Sequence, residues 1–150
     1  MLEGEIALVT GASRGIGRAI ALALADAGAA VAGTATTEAG ADRIQEALAG
    51  DGRKGLGLAL DVSSQASVDA AMAAMTESLG APTILVNNAG ITRDNLLMRM
   101  KDAEWDSIIE TNLSSVYRMS KACLRAMMKA RHGRIISVSS VVGVSGNAGQ

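Results

Sequence analysis

The sequence predicts an α/β fold, a doubly wound parallel sheet, on three observations. Short apolar runs alternate with Ala/Leu-rich stretches of helix length along the whole chain. The runs are apolar nearly throughout rather than at every second residue, as strands covered on both faces require. A small, polar or glycine-rich segment follows each run, and such sheets bind ligands beyond the carboxyl ends of their strands. Right-handed crossovers then fix the winding.

Taken in order, "IALVT" (6–10) is the first strand, and "GIGRAIALALADAG" (15–28) a helix closed by Gly28. "AAVAGTA" (29–35) is the second strand, and "AGADRIQEALAG" (39–50) a helix closing at Gly50. "GLGLALDV" (55–62) is the third strand; "SQASVDAAMAAMTESLG" (64–80) is a helix with Ser64 as its N-cap. "TILVNNAG" (83–90) is a fourth strand running into a polar turn. Residues 102–130 form a long or broken helical region, and "GRIISVSS" (133–140) is a fifth strand. Pro82, the only proline, precedes a strand, where it is tolerated.

The chain has 150 residues, 49% hydrophobic and 19% charged, which suits one globular domain over residues 1–150 with a core of its own. Phe is absent, so Ala, Leu, Ile, Val and Met must pack that core. No run of eighteen apolar residues marks a membrane span, and the acidic start "MLEGEIALVT" is unlike a basic secretory leader. The single cysteine, Cys123, excludes an internal disulfide and points to a reducing, cytoplasmic setting. A net charge of −1 carries no nucleic-acid footprint.

That net charge hides an asymmetry. After Glu110 there is no acid, while Arg118, Lys121, Arg125, Lys129, Arg131 and Arg134 follow. Two readings stand: a docking surface for an acidic partner, or a solvated helix face, since 118, 121, 125 and 129 share one side at helical spacing.

The strand ends carry the chemistry. In "VTGASRGIGRAI" (9–20), Gly11 permits a tight turn, Gly15 admits a close backbone approach to a pyrophosphate, and Gly17 lets the helix pack on the strand. The helix N-terminus then faces the anion with free N–H groups. No Gly-Lys-Ser/Thr follows, so the loop is not a Walker A loop. The second strand end reads "GTATT", without the acid that holds the ribose 2′-hydroxyl of NAD. With Arg14 in the glycine loop, that favours the 2′-phosphate of NADP; Glu38, two residues past Thr36, argues the other way. Asp61 after the third strand suits an adenine amino group, with Val62 against the ring, or else caps the following helix. In "NNAG" (87–90), amides can tie strand ends together, and Ala89 and Gly90 leave room for a ribose.

The ordered set "TGASRGIG", "DV", "NNAG", "TNL" and "SVSSVVG" resembles the short-chain dehydrogenase/reductase family, over about residue 3 to Gln150. Residues 90–121 and "RHGRII" (131–136) are similar to the bacterial members that reduce 3-oxoacyl groups on an acyl carrier protein in fatty-acid synthesis. The resemblance implies a Rossmann-type sheet, incomplete at the C-terminus, and an NADP(H) site. Gly11, Ala12, Ser13, Arg14, Gly15, Ile16 and Gly17 match its cofactor loop, Thr36 the 2′-phosphate side, Asp61 and Val62 the adenine side, and Asn88, Ala89 and Gly90 the ribose side. Asn112 matches an asparagine that holds a proton-relay water, and Ser140 the serine that hydrogen-bonds the substrate carbonyl. Ser139, facing the other way on an alternating strand, is second choice. No metal is implied. The resemblance also implies a homotetramer and an acyl carrier protein as partner; the basic stretch after Glu110 suits such an acidic partner, and docking is expected on Lys129 and Arg131, near the end of the long helix and the mouth of the site.

In the family, Tyr-x-x-x-Lys follows the serine strand; Tyr protonates the carbonyl oxygen and Lys lowers the Tyr pKa. No such pair lies between Ser140 and Gln150, so the 150 residues alone are expected to be inactive. Tyr117 and Lys121 in "YRMSK" have the spacing but precede Ser140, and are expected to be a flank or subunit-contact pair. Two alternatives remain: a non-catalytic NADP-binding fragment, and a reductase of free small ketones or alcohols.

Overall fold

The structure is a computed structural model and describes residues 1–50 and 52–150. Its elements run β1 (Ile6–Val9), α1 (Gly15–Asp26), β2 (Ala30–Ala35), α2 (Glu38–Leu48), β3 (Gly55–Ala59), α3 (Gln65–Ser78) and β4 (Ile84–Asn87). They continue with a short 3₁₀ turn (Leu97–Arg99), α4 (Asp102–Ile108), a π turn (Ile109–Ser114), α5 (Ser115–Ala130), β5 (Arg134–Ser137) and α6 (Val142–Ser145). The strands lie in the order β3-β2-β1-β4-β5, all parallel. This is the Rossmann-type α/β fold expected. Strand order reverses between β1 and β4, and the crevice at that reversal is where such sheets place ligands.

Period-two alternation sends the strand side chains into two cores. Ala7, Val9, Val31 and Val86 meet Ala21 and Ala25 of α1 and Ile44 and Leu48 of α2. Leu8, Ala32 and Leu85 face the other way, toward Val68 and Met75 of α3 and Met119, Cys123 and Met127 of α5. Met119, Cys123 and Met127 recur at helical spacing, and burying each of the two Met side chains stabilises by about 1.5–3 kcal/mol. Burial also pushes the Cys123 thiol up to about 12.

Boundaries move by a few residues from the sequence reading, and three differences matter. The long helical region is interrupted at Ile109–Ser114 by the π turn, the single-turn insertion that often marks functional sites. β5 stops at Ser137, so Ser139 and Ser140 lie in the segment after the strand and strand alternation does not separate them. Finally, α6 (Val142–Ser145) occupies a stretch read as loop. Gly28 takes φ +101 just past α1, the left-handed position that ends helices.

Candidate functional site

Among the described residues, α1, α2 and α3 directly follow β1, β2 and β3 at the carboxyl edge of the sheet, and α2 and α3 are each capped by a side chain. Thr37 accepts from the Gly40 N–H at 3.1 Å and Ser64 from the Ser67 N–H at 3.3 Å. At the head of α1 stands Arg14, which has no side-chain cap hydrogen bond. Among the described residues, the first N–H groups of α1 therefore meet no side-chain acceptor, the condition under which a helix start receives an anion.

Two glycines shape that start. Gly15 has φ +57, and a Cβ built there meets nothing within 4 Å, so its bare face lies open. A Cβ on Gly17 would lie 2.1 Å from the Gly11 carbonyl oxygen and 2.4 Å from the Asn88 amide nitrogen. Gly17 thus lets α1 sit directly on the loop, as its position predicts.

A buried threonine ties this loop to the next strand end. The Thr10 hydroxyl oxygen accepts from the Asn88 and Ala89 N–H groups, each at 3.0 Å. Asn88 returns its side-chain amide to the Thr10 and Gly11 carbonyls at 3.0 and 3.1 Å. From β2, Thr34 accepts the Gly11 N–H at 3.3 Å. The sequence marks Thr34 as one of the strand-end residues but does not single out Thr10, although a threonine closing an otherwise apolar run is the available signal.

Between these loops lies an open cleft of about 760 Å³. Gly11, Ser13, Arg14, Gly15, Ile16 and Gly17 form one side, Thr36, Asp61 and Val62 another, and Asn88, Ala89 and Gly90 the third. Twelve of the thirteen residues read as cofactor-binding therefore meet in one cavity, joined by Thr34, Ile91 and Thr111. Ala12 is the exception. It is 2% exposed and belongs to the core under α1 and α2, because its side chain points back toward Gly33. Glu38, the acid that argued for NAD, opens the first turn of α2 and does not line the cleft.

Asp61 accepts from the Ser63 N–H at 2.9 Å and the Ser63 hydroxyl at 2.6 Å. These bonds, with the nearby Arg118 charge, hold its carboxyl below the usual range, so it presents an ionised acceptor. Ser64 rather than Asp61 caps α3, which removes the capping alternative.

Asn112 lies in the π turn, and its amide grips Ile91 at both ends. The Ile91 N–H donates to its oxygen, and its nitrogen donates to the Ile91 carbonyl, both at 2.8 Å. The side chain thus joins the turn to the loop after β4. Ser140 is exposed, and its hydroxyl accepts the Val142 N–H at 3.3 Å. Neither Ser140 nor Asn112 is part of the cleft wall itself. Tyr117 and Lys121 lie one turn apart on α5, the Lys121 ammonium 3.2 Å from the Tyr117 hydroxyl, both exposed and away from the cleft.

Lys129 and Arg131 correct an expectation. They close α5, which returns to the amino-terminal edge of the sheet; beside them His132 pairs with Glu5, just ahead of β1. The cleft opens at the opposite edge, so within one copy these cations do not flank its mouth.

The chain belongs to the short chain dehydrogenase family, which it matches over residues 5–150. Among similar proteins, it is 62% identical over 149 residues to a protein of Pseudomonas aeruginosa named 3-oxoacyl-[acyl-carrier-protein] reductase FabG. Proteins of the same name from Escherichia coli and Haemophilus influenzae are 64% and 58% identical over 148 and 149 residues. In each case the match covers 99% of this chain, which spans about 60% of the relatives' length.

Proposed function

We propose that residues 1–150 form the NADP(H)-binding part of a reductase that converts 3-oxoacyl groups on an acyl carrier protein to 3-hydroxyacyl groups. The observation that carries the cofactor reading is the cleft itself. An uncapped helix start, the open face of Gly15, the ionised acceptor Asp61 and the Asn88–Gly90 turn converge on one 760 Å³ space. These residues fit a dinucleotide: the head of α1 would take the pyrophosphate, Asp61 and Val62 the adenine, and Ala89 and Gly90 a ribose. Arg14, at the head of α1, and Thr36, at the end of β2, both line the cleft, and among the described residues no acid lines it where β2 ends, which supports a 2′-phosphate.

When bound, the nicotinamide would supply the hydride. Ser140 is proposed to donate its hydroxyl hydrogen bond to the substrate carbonyl, and Asn112 to keep the loop after β4 in place beside it. The only tyrosine, Tyr117, lies outside the cleft, so residues 1–150 on their own are proposed to bind nucleotide without turnover. The relatives' names support the carrier-linked 3-oxoacyl substrate. Exposed Leu113, Tyr117, Leu124 and Met128 along one length of helix support self-association, a tetramer by resemblance. The lone cysteine supports a reducing, cytoplasmic setting.

Isothermal titration with NADPH and NADH tests the cofactor reading. NADPH is expected to bind more tightly; equal or tighter binding of NADH would overturn it. Comparing carrier-linked with free 3-oxo substrates, on a form as long as the relatives, tests the substrate.

A further inference from the structure

Arg118 was grouped by sequence with five other bases as one charged set; the structure separates it from them. Its side chain is 18% exposed, and its guanidinium faces inward along two directions. One terminal nitrogen pairs with the Glu110 carboxylate, in the π turn. The other donates to the Val62 carbonyl at 3.4 Å. The same charge lowers the Asp61 carboxyl through space. One planar fork therefore spans the loop after β3 and the turn that carries Asn112, and only arginine offers donors in that fixed arrangement.

Each end of this span leads to the cleft. Asp61 and Val62 form the wall assigned to the adenine, while Thr111 and Asn112 follow Glu110 directly. Asn112 in turn fixes Ile91, at the third wall. Val62, Arg118, Glu110, Asn112 and Ile91 thus form a continuous line of polar contacts and one short stretch of chain that joins two walls of the cleft from outside it. A π turn is a rare single-turn insertion in an α-helix, and here side chains tie it from outside: Glu110 to Arg118 and Asn112 to Ile91.

We infer that Arg118 is a positioning residue that couples the adenine loop to the π turn, so that filling the adenine side orders the turn bearing Asn112. The inference rests on the proposed cofactor reading, in which the adenine lies on Asp61 and Val62. It adds an order of events: the nucleotide's adenylate half prepares the far wall of the cleft before anything else binds there.

The test uses adenosine 2′,5′-bisphosphate, which carries the adenylate half without nicotinamide, and amide hydrogen exchange. In the unaltered protein, binding is expected to slow exchange both at 60–64 and at 109–114. In Arg118→Met, which keeps an apolar stem, protection at 60–64 is expected to persist and protection at 109–114 to be lost. Affinity is expected to fall roughly tenfold, the upper range for a coupling residue. Glu110→Gln, which leaves the fold's charge-free contacts in place, is expected to act in the same direction. It serves as the second variant should Arg118→Met fail to fold. The double variant is expected to be no worse than Arg118→Met, as two groups on one line are not additive. Protection at 109–114 that survives in both variants, or never appears in the unaltered protein, would overturn the inference while leaving the cofactor reading intact. Failure of the unaltered protein to bind the probe at all would sink the cofactor reading and this inference with it.

Discussion

At the scale of single residues, the cleft is built by small groups set where larger ones would collide or block. Gly17 brings α1 down onto the first loop, and the Thr10 hydroxyl draws the Asn88 turn against it. Thr36 stands exposed at the end of β2 and lines the same cleft as Arg14. If a 2′-phosphate lies there, a carboxylate at position 36 would face it at short range and repel it, while accepting hydrogen bonds from an unphosphorylated ribose. Thr36→Asp is therefore expected to weaken NADPH binding by about tenfold or more and to strengthen NADH binding. Titration of both cofactors into the variant decides it; an unchanged ratio of the two affinities would place the 2′-position elsewhere in the cleft.

At the scale of elements, the far edge of the sheet is held by an exposed clamp. Glu5, ahead of β1, accepts the Thr83 hydroxyl at 2.5 Å and pairs with His132, ahead of β5, at 2.9 Å. Thr83 also accepts the Ile6 N–H at 3.0 Å, so the starts of β1, β4 and β5 share one cluster. The Thr83 hydroxyl first, and then His132, hold the Glu5 carboxyl below its ordinary 4.5. A carboxyl lowered on folding stabilises the native state above its unfolded pKa, and that contribution disappears as pH falls through the folded value. Stability is thus expected to drop below about pH 4.5, and Glu5→Gln to flatten that part of the curve. Urea unfolding at several acid pH values measures it; identical slopes in the two proteins would show that the clamp contributes nothing. The strands around this clamp were legible because β1, β2, β4 and the middle of β5 (Ile135 and Ile136) are apolar runs between turn residues. The helices were legible from length and Ala/Leu content. The π turn was not, since "IETNLS" has no composition signal and its geometry depends on what Asn112 and Glu110 reach. That the Ala12 side chain lies in the core rather than in the cleft wall was not legible, because its loop position says nothing of which way a side chain points. The placement of Lys129 and Arg131 was misjudged because helix length alone, about 24 Å for sixteen residues, carries the end of α5 to the opposite edge.

At the scale of the whole molecule, the question is which groups could deliver a proton to a carbonyl held in the cleft. Tyrosine paired with lysine one turn later is the chemistry expected, and Tyr117 with Lys121 meets the spacing and even the hydrogen bond, at 3.2 Å. Their position decides against them. Three side chains of α5, Met119, Cys123 and Met127, face the sheet, and Tyr117 and Lys121 lie on a different side of the helix, in solvent. Tyr117 is 65% exposed, and neither residue is part of the cleft wall. A proton donor must come within hydrogen-bond reach of the oxygen it protonates, which a side chain on that face cannot do. Residues 1–150 alone are therefore expected to take up NADPH without oxidising it, whatever ketone is supplied. In a form extended to the length of the relatives, Tyr117→Phe is expected to leave kcat within a few-fold. Ser140→Ala is expected to lower it by about a hundredfold, since it removes a hydrogen bond that strengthens as charge develops on the carbonyl oxygen. Absorbance at 340 nm follows both. Turnover by residues 1–150 that Tyr117→Phe abolishes would show that α5 can turn its outer face to the substrate, and the assignment of the cleft would then have to be rebuilt around that helix.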